Sequence, residues 1–275
     1  MKHTFWLLMP LLLFGSMTKA QSDTTTPGAQ FKLSMNYNSY LHFYGRTDDV
    51  KSSGFFPLAE LWLDSHFYFQ AAPVFVSNET QSFNYAGTIA TAGFQHLSDK
   101  WMVNAYVMKP FYELSAQLAQ SVLKAQTGVT ASYTTSLLSF TLGGDVKFTG
   151  NTDFGAMAGI DKPIRFENSK RVIVINPGFT VNAGTQRFTN NFTRRKAGLL
   201  GLPAGNETVT TRTETFNVLS YEASVPLIYV RGKWMAMLNP SYVLPQNLIT
   251  VPGKPELSEK GEPTFYVSAT LRYTF

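Results

Sequence analysis

Four histidines and no cysteine restrict the chemistry open to this chain. General-base catalysis needs an imidazole within hydrogen-bond reach of a hydroxyl, with a third group orienting the ring. His3 sits in an apolar leader, which leaves His42, His66 and His96. The serines nearest His42 in sequence are Ser52 and Ser53, while its same-face neighbours are Tyr40 and Tyr44. There is no His-Glu-x-x-His, no nucleophile elbow, no phosphate-cradling glycine loop and no calcium-loop spacing. No metal or cofactor is expected, and the chain reads as a non-enzyme. Among the other ionisable residues, Glu60, Asp145, Lys147, Asp161, Glu222 and Arg272 are scattered among small and apolar neighbours. Such a set suits a polar lining better than a reaction centre.

A two-residue rhythm identifies the elements that carry them. From Thr264 to Phe275, the residues Phe265, Val267, Ala269, Leu271, Tyr273 and Phe275 are apolar, and those between are polar or amphipathic. Successive side chains of a strand point to opposite faces, so this segment is a strand with one greasy side and one wet side. The same pattern predicts strands over 31–45, 54–64, 66–77, 82–95, 101–112, 125–134, 136–148, 153–165, 172–186, 216–230 and 233–245. With the last run that makes about twelve, with ten or fourteen also open. Connections at 64–66, 96–100, 135, 166–171 and 231–233 are short, whereas 46–53, 78–81, 113–124, 187–215 and 246–263 are mostly longer. Only the link from Thr149 to Thr152 breaks the alternation. Short turns on one rim and long loops on the other describe an all-β, antiparallel up-and-down barrel that crosses a membrane.

Composition agrees. Aromatics make up 14% of the chain and charged residues only 15%, against about 25% in soluble domains. Mean hydropathy is −0.07, and beyond the leader no stretch approaches the ~20 apolar residues of a membrane helix. The net charge of +5 comes with no basic patch interleaved with stacking aromatics, so no nucleic-acid partner is expected.

With the apolar parity facing lipid, the other parity lines the lumen: His42, Glu60, Asp145, Lys147, Asp161, Glu222 and Arg272, joined by Gln70, Asn104, Asn176, Asn182 and Asn239. Phe56, Trp62, Tyr106, Met108 and Met237 share that parity and narrow the bore. Two readings stay open, a polar path for a small solute and a set of charges that pair to fill the interior. Leu114, Leu118 and Val122 recur at four-residue spacing, as in a short helix folded over the mouth or an ordered surface loop. The 187–215 segment, with Arg194, Arg195 and Lys196 before the apolar run to Leu202, reads as an external loop.

At the N-terminus, Lys2 and His3 precede an apolar run from Phe5 to Phe14 and a small-residue site ending at Ala20. Residues 1–20 therefore read as a cleavable export signal, 21–30 as a periplasmic lead-in and 31–275 as the barrel. The final strand resembles the C-terminal signal of Gram-negative bacterial outer-membrane β-barrel proteins. Tyr273 and Phe275 occupy its two aromatic positions and Ser268 its polar one, while Thr270 stands where that signal often has Gly. The resemblance implies residence in the cell outer membrane, contact with its lipid and lipopolysaccharide, and recognition of the last strand by the barrel-assembly machinery. It names no activity. The residues point to a narrow channel or small-solute pore with a polar, partly plugged lumen. The alternatives are a non-conducting structural or surface-binding barrel and, third, a lipid-modifying enzyme using His42.

Overall fold

The computed structural model describes residues 28–46, 51–80, 82–113, 123–197, 203–250, 258–259 and 261–275. Their strands are β1 (Gln30–Asn38), β2 (Ser53–Trp62), β3 (Phe67–Ser77), β4 (Asn84–Leu97), β5 (Trp101–Tyr112), β6 (Ala125–Thr134), β7 (Ser139–Phe148), β8 (Thr152–Asp161), β9 (Ile164–Asn168), β10 (Arg171–Ile175), β11 (Gly178–Ala197), β12 (Pro203–Ser224), β13 (Leu227–Arg231), β14 (Trp234–Pro245) and β15 (Thr264–Thr274). All pair antiparallel with their neighbours in one sheet. Three interruptions are prolines, which have no N–H to give a ladder. Pro163 separates β8 from β9, Pro177 separates β10 from β11, and Pro226 separates β12 from β13. Counting each broken pair as one stave gives a closed barrel of twelve.

Closure comes from β1 on β15, in register from Lys32↔Thr274 to Asn38↔Ser268. Each stave thus finds its backbone partners inside the fold, which a hydrocarbon surround demands. Across the proline breaks the ladder survives through carbonyls. Lys162 N donates to Pro177 O at 3.0 Å, Asn176 N to Pro226 O at 2.9 Å, and Val225 N to Pro240 O at 3.0 Å.

The alternation read from sequence is the alternation of the wall. Met35, Leu142 and Phe265 are 59%, 67% and 64% exposed, whereas the inward Ser139 and Ser220 are fully buried. The expected strands recur within a few residues, except in two places. First, β1 ends at Asn38 instead of running to 45, because the Asn38 side chain accepts the Tyr40 N–H at 3.1 Å. That local bond competes with the ladder and turns the chain inward. Second, most of 187–215 is strand, with β11 and β12 paired out to Ala197↔Pro203. Its threonines are β-branched and favour strand, a signal its charge had obscured. The Thr149–Thr152 link is as tight as its length suggests, with Thr149 N bonded to Asn151 O at 2.8 Å. The export signal, residues 21–27 of the lead-in, the segment holding Leu114, Leu118 and Val122, and residues 198–202 lie outside the described residues.

Candidate functional site

The outer half of the lumen, on the long-loop side, is filled. Beyond Asn38 the chain carries Tyr40, Leu41 and His42 into the barrel, all buried. Leu41 packs with Phe56, Val76 and Ala86; Tyr40 with Val243 and Tyr266; and Tyr106 and Met108 with Leu123. The His42 ring meets Tyr266 edge-on at 4.5 Å. Burial of this loop imidazole pushes its pKa down to about 4. Gly45 makes the turn possible: its φ is +75°, and a Cβ there would lie 2.9 Å from Pro245.

Arg46 fastens this inward loop. Its Nε donates to Glu259 Oε2 at 3.1 Å, and its terminal nitrogens donate to Leu219 O and Gln246 O, each at 2.9 Å. Glu259 Oε2 also accepts the Ile249 N–H at 3.0 Å. Leu219 is the extra residue of a bulge, where the register shifts opposite Asn182 and Ala183. One guanidinium thus joins the loop after β1, the loop before β15 and the wall. Its planar fork suits three acceptors at once.

Below the plug lies a cavity of about 320 Å³, reaching from His42, Glu222 and Tyr266 to Trp62, Met235 and Arg272 near the short-turn rim. Its walls are wet. Tyr266 Oη donates to Glu222 Oε1 at 2.6 Å, Gln70 Nε2 to Glu60 Oε2 at 2.7 Å, and Tyr68 Oη to Asn104 Oδ1 at 2.9 Å. Of the residues expected to line the lumen, His42, Glu60, Asp161, Glu222 and Arg272 border this cavity. Lys147 and Asp145 do not; they form an ion pair with each other beside Gly155. Arg46, Lys32 and Tyr266 were not singled out from sequence, although parity or position made each visible.

His42, His66 and His96 are each held in other contacts. His42 Nδ1 accepts the Gly45 N–H at 3.1 Å, so a neutral ring carries its proton on Nε2. A ring that takes a proton from serine through Nε2 needs the opposite tautomer. His66 lies in the β2–β3 turn, with Nδ1 2.9 Å from Ser65 Oγ and 3.9 Å from Asp64 Oδ1. One nitrogen cannot both relieve the hydroxyl and be oriented by the carboxylate. Asp64 instead closes the turn by accepting the N–H groups of Phe67 and His66, which hold its pKa below the usual carboxylate value. His96 stacks on His66 with ring centres 5.8 Å apart. Among the described residues no group of three His, Cys, Asp or Glu side chains could hold a metal ion.

At the seam, Phe275 N donates to Phe31 O at 2.9 Å, and Tyr273 meets the rings of Trp234 and Phe275 at 4.8 and 4.9 Å. These rings sit where the first and last staves join at the short-turn rim. A closed sheet with an apolar outer wall, an aromatic rim and a polar interior has one solvent that suits it. This is a transmembrane β-barrel of the outer-membrane type. In water each outward Leu, Phe or Met would forgo about 1.5–3 kcal/mol, and a soluble fold has only about 5–15 kcal/mol in total.

No family model matches the chain, and no curated protein matches it. Solved structures to which this chain is similar include the KdgM porin, at 9% identity over 89% of this chain and 99% of that one, with a TM-score of 0.47. An outer membrane channel from Pseudomonas putida F1 has 13% identity over 91% and 97%, also with a TM-score of 0.47. LpxR from Salmonella typhimurium has 11% identity over 69% and 90%, with a TM-score of 0.32.

Proposed function

We propose that this outer-membrane barrel is a narrow small-solute channel. Its inner half seats the solute, and its outer half is closed by its own loops. One observation carries the reading: a polar cavity of about 320 Å³ lies directly beneath a plug that Arg46 bonds to the loop before β15 and to the wall. A barrel serving only as a scaffold has no use for a wet cavity under a cap made of its own loops. The competing structural reading draws on the three apolar clusters that fill the outer half. The channel reading makes the protein a non-enzyme, in keeping with the His42 tautomer. Tyr273 and Phe275 would serve assembly at the seam, and the outward belt would contact lipid and lipopolysaccharide.

Planar-bilayer recording of the refolded mature protein tests this. Small current steps should appear, grow more frequent in Arg46→Ala, and change ion preference when Glu60 and Glu222 are replaced by glutamine. Silence from both the parent and Arg46→Ala at every voltage would overturn the channel.

A further inference from the structure

Two groups of unmet polar atoms border the cavity, and they are opposite in kind. Near the short-turn rim, Trp62 Nε1 and Arg272 Nε are buried without a hydrogen-bond partner. Both are donors, and neither residue has an acceptor to offer through its side chain. Between their strands runs β1, with Lys32 opposite Glu60 and Ser34 opposite Arg272. The Lys32 ammonium stands 4.3 Å over the Trp62 ring. Lys32 and Arg272 share one carboxylate, Glu60, whose Oε2 is already taken by Gln70. This end of the cavity therefore carries one positive charge more than it can neutralise.

Nearer the plug, Asp161 Oδ2, Asn176 Oδ1 and Asn239 Oδ1 are likewise buried without partners, and all three are acceptors. Although far apart in sequence, they stand on one row of the wall. The bonds Lys162 N to Pro177 O, Asn176 N to Pro226 O and Val225 N to Pro240 O stitch that row across four neighbouring staves. Asp161 adds a carboxylate to the row; the Asn176 and Ser139 side chains hydrogen bond to it, and its Oδ2 is left unmet. Asn239 pairs with Ser268, four residues before Arg272 on β15, so the two ends lie roughly 13 Å apart along the wall before their side chains reach toward each other.

A solute with a single charge would meet one end and leave the other unpaired. An uncharged polyol could satisfy the hydrogen bonds but would offset neither the excess positive charge beside Arg272 nor the Asp161 carboxylate, and an incompletely compensated buried charge is costly. A carboxylate at Arg272 and an ammonium group on three acceptors would satisfy both ends. We propose that the cavity binds a small organic zwitterion lengthwise, its carboxylate at Arg272 and Trp62 and its ammonium on the row of Asp161, Asn176 and Asn239. This rests on reading the cavity as the solute's seat.

The test is isothermal titration of the refolded mature protein in detergent with glycine, γ-aminobutyrate and ε-aminohexanoate, against hexanoate and hexylammonium. One of the longer zwitterions should bind, with both singly charged analogues weaker by roughly 10- to 100-fold. Arg272→Gln should remove the advantage of the carboxylate, and Asp161→Asn that of the ammonium. Trp62→Phe, which keeps an aromatic ring and removes only the donor, serves if Arg272→Gln fails to fold. Equal binding of hexanoate or hexylammonium, or no binding of any zwitterion, would overturn the proposal. So would zwitterion affinity that survives Arg272→Gln, or Trp62→Phe where Arg272→Gln does not fold. The same preparations are recorded in planar bilayers. Current steps without zwitterion binding sink this proposal alone; binding with no current from the parent or Arg46→Ala sinks the channel instead.

Discussion

Arg46→Ala is the most informative single perturbation. The side chain is 11% exposed and Glu259 is 30% exposed, so the pair is partly shielded from water. Removing the guanidinium deletes the 3.1 Å bond to Glu259 and the two 2.9 Å bonds to Leu219 O and Gln246 O. Each charge-assisted bond is worth about 1.5–3 kcal/mol, and breaking a fully buried pair costs about 3–5 kcal/mol. Glu259 keeps the Ile249 N–H, and the freed carbonyls can take up water, so the net loss should be about 3 kcal/mol. At ~1.4 kcal/mol per decade, the ratio of fastened to released loop falls roughly 100-fold. Hydrogen exchange read by mass spectrometry should show that loss in peptides covering 39–46 and 258–261, with β14 and β15 unchanged. Arg46→Lys keeps the charge but not the fork, and should fall between. Unchanged protection in Arg46→Ala would refute the fastening argument. Loss spread evenly over the staves would mean that Arg46 supports the wall and not the plug.

Three further outcomes follow from the same geometry. His42 has a folded-state pKa depressed to about 4 from 6.5. Its contribution is therefore fully present above pH 6.5 and is lost as pH falls toward 4, by up to about 3 kcal/mol. Urea midpoints between pH 7 and 4.5 should fall less in His42→Gln, which can still accept the Gly45 N–H but does not titrate; parallel curves would contradict this. Gly93→Ala would put a Cβ 2.2 Å from the Tyr68 ring, forcing that ring off Asn104. It should cost about 2 kcal/mol by urea midpoint and Tyr68→Phe about 1 kcal/mol, with the opposite order refuting the packing. Leu142→Arg, at a position 67% exposed midway along β7, should cost about 2–4 kcal/mol in lipid; a neutral result would mean that the wall faces water.

The wall was legible in the sequence because lipid outside and polar groups inside force a period of two on every stave. Thr141 and Leu142 are adjacent in the chain and on opposite faces. The plug was not legible, for the same reason. From Tyr40 to Arg46 the alternation simply continues, so the pattern reads as more strand. What ends β1 is one side-chain bond at Asn38, and what fixes the turn is a carboxylate more than 200 residues away, at Glu259. Periodicity within a segment carries no information about such a partner.

The acceptor row shows the complementary gap. Parity placed Asp161, Asn176 and Asn239 inside, but not at one level, because level depends on how staves are staggered around the barrel. The prolines hold that missing information. A proline gives its ladder no N–H, so it is tolerated where a stave breaks or where only its carbonyl is used. Pro177, Pro226 and Pro240 each accept from the neighbouring stave, and Pro163 stands two residues beyond Asp161 at the same break. The prolines do not stand opposite one another: Pro163 and Pro226 are level with Asn176 and Asn239, and Pro177 and Pro240 with Lys162 and Val225, because a one-residue slip would turn every inward side chain outward. It is this offset, which no single segment's periodicity contains, that brings the carboxylate and amide oxygens to one level.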